Sequence, residues 1–146
     1  MKINNPSAPI LVSTIEIPIR FSESDAMGVV WHGNYIKYFE DGRDAFGRYF
    51  KIKYLDVYGN GFVTPIVHLV CDYKQSLKYG DTAIIETTYV DSLAAKLIYK
   101  YRVLRGSDRE VMATGESIQV FLEKEGGLQL TIPAFFAEWK QKMGLI

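Results

Sequence analysis

The sequence is poor in the residues that would signal metal chemistry, disulfide staples or strongly charged partners. Cys71 is the only cysteine among 146 residues, which rules out an internal disulfide and a multi-cysteine metal site. His32 and His68 are the only histidines. A zinc site would need both of them plus carboxylates, and no HExxH spacing exists, so no metal is expected. Neither sign of charge is in excess, with 17 Lys plus Arg against 17 Asp plus Glu, so no net field draws the chain to nucleic acid or an anionic membrane. Nowhere do about 18 or more apolar residues run together, and no membrane span is expected. The first 13 residues, MKINNPSAPILVS, carry one lysine and no long apolar run. They do not read as a secretory signal, and a cytoplasmic setting is the expectation.

What the chain does have is aromatic mass. Phe, Trp and Tyr make up 14% of it, with 10 Tyr and 8 Phe, and a core or a subunit interface must absorb them. The length fits a single domain over residues 1–146, with residues 1–9 as a loose lead-in. A chain of this size buries roughly 68–70% of its unfolded surface, enough for a core without staples.

Residues 10–21 alternate, with Leu11, Ile15, Ile17, Ile19 and Phe21 on the core side of a strand. Pro18 marks an edge position or a bulge. The alternation stops over residues 22–34, which read as a loop, and a helix is expected from about 35 to 50 with Asn34 as N-cap. Tyr35, Phe39, Phe46 and Phe50 form its apolar stripe, and Gly42 on that stripe leaves room for a sheet to come close. Lys37 with Asp41, and Asp44 with Arg48, are spaced to pair on its wet side. Residues 62–73 are almost continuously apolar, as in a strand covered on both faces. Residues 82–91 and 96–105 read as a hairpin, residues 110–123 as a further strand with Met112, Ile118 and Val120 on one face, and residues 134–142 as a short helix opened by Pro133. One long helix on a five-stranded, mostly antiparallel sheet is an α+β layer architecture. One helix cannot cover a whole sheet face, so a homo-oligomer is expected.

The loop at 22–34 carries the chemistry. Asp25 sits among Ala26, Met27, Gly28, Val29 and Val30, where a carboxylate is poorly solvated and its charged form costly. Seven residues later the chain enters a helix whose first N–H groups lack partners and can receive an oxygen that is becoming negative. An acid facing such donors is what acyl transfer requires. Taken alone, a loop aspartate more often caps a turn, and a helix-entry histidine as often bonds local backbone as it catalyses. His68, in an apolar strand, reads as a satisfied core histidine with a place beside an acyl pocket as the alternative, and Cys71 as a packing residue. Glu40 and Arg43 are spaced for a helix pair.

The segment FSESDAMGVVWHGNYIKYFEDGR resembles the signature of hotdog-fold acyl-CoA thioesterases of the 4-hydroxybenzoyl-CoA thioesterase type. The matching residues are Asp25, Gly28, Val29, Val30, Trp31, His32, Tyr35, Phe39, Glu40 and Arg43. Thr64 to Val67, the run of Tyr79, Gly80 and Asp81, and Ile132 with Pro133 extend the likeness. The resemblance implies a hotdog fold and hydrolysis of acyl-CoA to free acid and CoA, with CoA as part of the substrate and no separate cofactor. It implies that Asp25 is the catalytic carboxylate, as nucleophile or base, that His32 takes part in catalysis, and that the backbone N–H groups at His32 and Gly33 form the oxyanion site. It places Trp31, Tyr35, Val67, His68 and Lys96 against substrate or CoA, in a site between the subunits of a homodimer or homotetramer. The 4-hydroxybenzoyl branch has Tyr where His32 stands, which disfavours that substrate. Ala94 and Ala95 replace arginines that one branch carries beside Lys96, so Lys100 and Arg102 are candidates to help with phosphate. A non-catalytic acyl-CoA binder of the same fold is the alternative; a hotdog dehydratase is disfavoured because the Asp25 loop matches the hydrolases.

Overall fold

The computed structural model describes residues 8–146, so most of the expected lead-in lies outside the described residues. The strand order follows from the alternation patterns. β1 (Val12–Pro18), β4 (Thr82–Val90), β5 (Lys96–Arg105), β6 (Val111–Glu123) and β3 (Ile66–Tyr73) lie side by side in that order, and every pairing is antiparallel. Two-residue strands, β2 (Phe62–Val63) and β7 (Leu128–Gln129), add to the far end of β6, so the expected five strands become seven among the described residues. α1 (Asn34–Phe50) lies across one face and α3 (Ala134–Lys142) closes one end. This is the hotdog arrangement.

α1 forms because its apolar positions recur at helical spacing, and Tyr35, Tyr38, Phe39, Gly42, Ala45 and Phe46 are its buried face. Gly42 does what its place on the stripe suggested: a Cβ there would come within 2.3 Å of Thr87 Oγ1 and 2.9 Å of an Ile85 methyl on β4. The helix therefore rides closer to the sheet than any side chain would allow. Phe39 stacks on Tyr101 of β5 at 4.4 Å between ring centres. Of the two expected ion pairs on the helix, only Asp44 with Arg48 forms among the described residues. α3 is pinned by buried Lys140, whose Nζ meets Asp91 Oδ1 at 2.9 Å and the Ser92 carbonyl at 2.6 Å.

Several local expectations need correcting. Phe21 is not the last core residue of β1. It sits in a 3-10 turn and is 76% exposed, because the Glu23 carboxylate takes the Arg20 N–H at 2.7 Å and ends the strand early. A short α2 (Tyr54–Gly59) was not foreseen between the long helix and β2; Val57 is its only buried residue, too little to leave an apolar period. In β6 the face turned to α1 is that of Ala113, Gly115, Ser117 and Phe121, opposite Ile118 and Val120, whereas Met112, at a register shift beside Ala113, is buried in the core. The apolar run at 62–73 is broken at Thr64 and Pro65, and β3 is not covered on both faces. Among the described residues it pairs only with β6 and its other edge is free, and Val67 is 59% exposed while Leu69 and Val70 are each 38% exposed.

The close approach at Gly42 gives a direct test. Gly42→Val should lower unfolding stability by about 2 kcal/mol, the usual range for overpacking. Gly59→Ala, where an added Cβ meets nothing within 4 Å, should shift it by less than about 0.5 kcal/mol. Equal urea midpoints for the two variants would contradict the packing described.

Candidate active site

The loop after β1 is a small clamped hairpin. Ser24 and Val30 bridge antiparallel, and the Asp25 N–H bonds the Val29 carbonyl at 2.8 Å. Its tip is a four-residue turn in which the Gly28 N–H returns to the Asp25 carbonyl at 3.0 Å. Gly28 takes φ +79, a conformation open to glycine at little cost. Asp25 Oδ1 accepts the Met27 N–H at 2.8 Å, so the acid does cap the turn on one oxygen. Oδ2 has no hydrogen-bond partner among the described residues. The acid was expected to be enclosed by apolar neighbours. It is only half-buried, and Met27 beside it is 81% exposed.

The returning arm is held from three sides. Val30 donates to the Leu77 carbonyl at 2.9 Å and Trp31 to the Glu23 carbonyl at 2.9 Å. Asn34 is not the N-cap; Gly33 holds that place, and the buried Asn34 amide donates instead to the Glu23 carbonyl at 3.0 Å. A tight turn then leads into α1, with Asn34 N–H on the Trp31 carbonyl at 2.9 Å. The N–H groups of His32 and Gly33 are left without an acceptor among the described residues, at the positive end of a 17-residue helix.

Side chains sheathe these two amides. The Trp31 indole folds back on Gly33 so closely that a Cβ there would lie 2.1 Å from a ring carbon. The rings of Trp31 and His32 are 5.0 Å apart, and Tyr73 of β3 meets His32 edge-on at 6.2 Å. The Tyr73 hydroxyl donates to the His32 carbonyl at 2.9 Å. Desolvation of that hydroxyl, with the Cys71 thiol beside it, pushes its pKa up to about 12, so it remains a donor across the ordinary pH range. Tyr35 packs on Tyr73 at 5.3 Å and accepts the Leu77 N–H on its own hydroxyl at 3.0 Å. Burial raises the Cys71 thiol above its usual pKa, which makes it a poor nucleophile.

The structure thus gathers Asp25, Trp31, His32, Gly33 and Tyr35 in one place, and adds Tyr73, Leu77 and Glu23, which no motif announced. Three expected members lie elsewhere in the chain. Val67 is the bulged residue at the opposite end of β3, between Ile66 and His68 in the register. His68 pairs with Ile118 on the sheet face away from α1 and is no core histidine: its side chain is 47% exposed, 3.8 Å from Glu116. Lys96 shares that outer face, opposite Val120. Val120 lies seven positions along β6 from Ala113, the partner of Tyr73, which is roughly 23 Å of strand. Arg102 is engaged by Glu86 through two bonds of 2.7 and 3.1 Å. Arg43 does not pair with Glu40; it donates to the Tyr101 hydroxyl at 3.1 Å. Among the described residues no three His, Cys, Asp or Glu side chains cluster as metal ligands would, and no helix is long and apolar enough to cross a membrane.

Comparison with known proteins gives one consistent result. A family model described as the thioesterase-like superfamily matches residues 19–140. YneP of Bacillus subtilis (strain 168), which carries the provisional name acyl-CoA thioesterase, is 31% identical over 128 residues, covering 88% of this chain and 92% of that protein. The solved DHNA-CoA thioesterase from Staphylococcus aureus superposes with a TM-score of 0.80 at 26% identity, over 89% of this chain and 87% of its own. A 4-hydroxybenzoyl-CoA thioesterase variant, complexed with 4-hydroxybenzoyl-CoA, gives a TM-score of 0.72 at 25% identity, over 88% of this chain and 98% of its own.

The fit of Trp31 over Gly33 is testable alone. In a Trp139→Phe background, Gly33→Ala should expel the indole and shift Trp31 emission to the red with little change in Tm. Unchanged emission would contradict the close approach.

Proposed function

The chain belongs to the thioesterase-like superfamily and is a thioester hydrolase, and we propose that it cleaves acyl-CoA to free acid and CoA with Asp25 at the reacting centre. One observation carries this reading: a carboxylate with a free oxygen and two amides unpaired among the described residues lie in one clamped loop, the acid in its hairpin and the amides where it enters α1. The thioester carbonyl oxygen lies against the N–H groups of His32 and Gly33. As a nucleophile or a water-borne hydroxyl adds to the carbonyl carbon, the electron pair moves onto that oxygen and the two amides stabilise it. Each such donor contributes roughly 2.7–4 kcal/mol. The C–S bond then breaks and CoA leaves as thiolate, taking a proton from solvent or from His32. Asp25 Oδ2 either adds directly or removes a proton from the attacking water. A single turnover in oxygen-18 water separates these routes, because only direct attack followed by hydrolysis of the acyl-enzyme places label in the Asp25 side chain. Trp31 and Tyr35 flank the acyl end.

The working unit in this proposal is a homodimer made through β3. An eight-residue strand with a free edge and exposed Val67, Leu69 and Val70 is an aggregation hazard unless another strand covers it. A second copy does so by two-fold symmetry, with both helices on one face and the two β3 strands antiparallel. That pairing exchanges the ends of the strands. The Tyr73 end of one protomer, with its His32 amides, meets the Ile66 end of the other, where Val67 is bulged outward. Val67 then joins the site from the second subunit, and the open side of Asp25 is covered. Lys96 and His68 sit on the outer face, where a CoA tail leaving the seam would pass. With one free thiol and no disulfide among the described residues, a reducing cytoplasmic setting suits the chain.

A second reading, favoured by the turn-capping bond of Asp25 Oδ1, makes this acid a structural turn residue that takes no part in the cleavage. Thiol release from a panel of acyl-CoA esters decides between them. Asp25→Asn, which keeps the cap, should lose about a hundredfold or more in kcat with little change in melting temperature. Equal turnover in the variant would remove Asp25 from the chemistry. Sedimentation should give the mass of two chains for the wild type. Leu69→Lys, a charge on the shared edge, should give monomers that have lost activity with it; an active monomer would overturn the composite site.

A further inference from the structure

The two amides assigned to the oxyanion belong to successive peptide groups, and the carbonyl end of each group is occupied. The His32 N–H shares its peptide with the Trp31 carbonyl, which accepts the Asn34 N–H at 2.9 Å. The Gly33 N–H shares its peptide with the His32 carbonyl, which accepts the Tyr73 hydroxyl at 2.9 Å and the Tyr35 N–H at 3.3 Å. A carbonyl oxygen has two lone pairs, so the His32 carbonyl is fully used. The Asn34 and Tyr35 bonds are backbone bonds of the turn that opens α1. The Tyr73 bond is of another kind. It comes from a side chain on β3, 41 residues away in sequence, and the turn does not need it. The ladder register sets Tyr73 opposite Ala113 of β6. Its ring stands edge-on to Tyr35 at 5.3 Å and to His32 at 6.2 Å, and the Tyr35 hydroxyl is held in turn by the Leu77 N–H at 3.0 Å. The phenol is thus aimed before any substrate arrives, and desolvation keeps it protonated.

We propose that Tyr73 is a positioning residue of the oxyanion site, its hydroxyl polarising the Gly33 N–H through the His32–Gly33 peptide that lies between them. This peptide is trans, so its C=O and N–H point in opposite directions along one dipole. A donor on the carbonyl draws electron density toward oxygen and leaves the N–H more positive. Hydrogen bonds linked in this way strengthen one another by roughly 10–30% per bond. The gain is differential. A thioester carbonyl is a weak acceptor and an oxyanion a strong one, so a sharpened N–H favours the transition state over the bound ester. The effect therefore falls on kcat and leaves KM nearly alone. Tyr73 is 49% exposed, which lets water take over the bond when the hydroxyl is removed, so the loss is several-fold and not complete. The inference rests on the hydrolase reading and on the assignment of the His32 and Gly33 amides.

Tyr73→Phe should lower kcat about fivefold on the ester that the wild type cleaves fastest, with KM within about twofold. A spectroscopic measurement separates polarisation from mere support of the loop. That ester, labelled with carbon-13 at the thioester carbonyl, is bound to the Asp25→Asn protein, and isotope-edited infrared spectroscopy compares its C=O band with that of the free ester. Binding should move the band to lower frequency, and adding Tyr73→Phe should return about a tenth or more of that shift. Fluorotyrosines placed at position 73 form a graded series that keeps the ring and the loop. At a pH where each phenol is protonated, kcat should rise with phenol acidity, and this series decides the question even where Tyr73→Phe does not fold. A kcat indifferent to phenol acidity, or a bound C=O band unmoved by Tyr73→Phe, would overturn the inference. A bound band that coincides with the free ester in the Asp25→Asn protein itself would instead sink the oxyanion assignment beneath it.

Discussion

Everything in the site depends on one backbone clamp. The Glu23 carbonyl receives both the Trp31 N–H and the Asn34 side-chain amide, and Leu77 and Tyr73 hold the same arm from the other side. Glu23 is itself fixed by the Arg20 N–H on its carboxylate. These bonds hold the hairpin against the start of α1, so Asp25 and the two unpaired amides keep a set spacing with no substrate present. Catalysis by such donors works because they are in place before charge develops and need no reorganisation.

The clamp has value only because the helix behind it is immobile. Gly42 lets α1 settle onto β4, and Gly115 does the same on β6, where an added Cβ would meet the Phe39 ring at 2.3 Å. Phe39 stacked on Tyr101 and Phe46 among Tyr89, Tyr99 and Phe50 complete a layer of aromatic rings between helix and sheet. The aromatic mass of the composition thus goes into rigidity. The face that this layer does not protect is β3. In the proposed dimer that strand would link chemistry and assembly, because Tyr73 on it holds the His32 carbonyl while its edge, unpaired among the described residues, would take a second copy.

Much of this is legible in the sequence, and the reasons are local. α1 is readable because its aromatic stripe holds helical spacing, and α3 because Pro133 opens it. Gly42 is interpretable because a glycine on a buried helical stripe gives up both side-chain packing and helix propensity, and a close approach of the sheet offsets that loss. Asp25, His32 and Gly33 stand out because they lie within nine residues of one another in a single loop. What stays hidden depends on distant partners. Tyr73 touches His32 across 41 residues, and nothing in either neighbourhood announces it. The apolar run at 62–73 reads as doubly covered because apolarity says that a strand is buried without saying by what. In β3 that cover is absent among the described residues. Arg43 and Glu40 have the spacing of a helix pair, yet the Tyr101 hydroxyl offers the guanidinium a buried acceptor and the pair does not form.

The most direct measurement is a crystal structure of the Asp25→Asn protein with an unhydrolysed acyl-CoA bound. The account predicts the thioester carbonyl oxygen at hydrogen-bonding distance from the His32 and Gly33 amides, about 2.7–3.1 Å, with the residue-25 side chain on the opposite side of the carbonyl carbon. A carbonyl bound away from those amides, or a residue-25 side chain facing bulk water with the ester out of its reach, would contradict it.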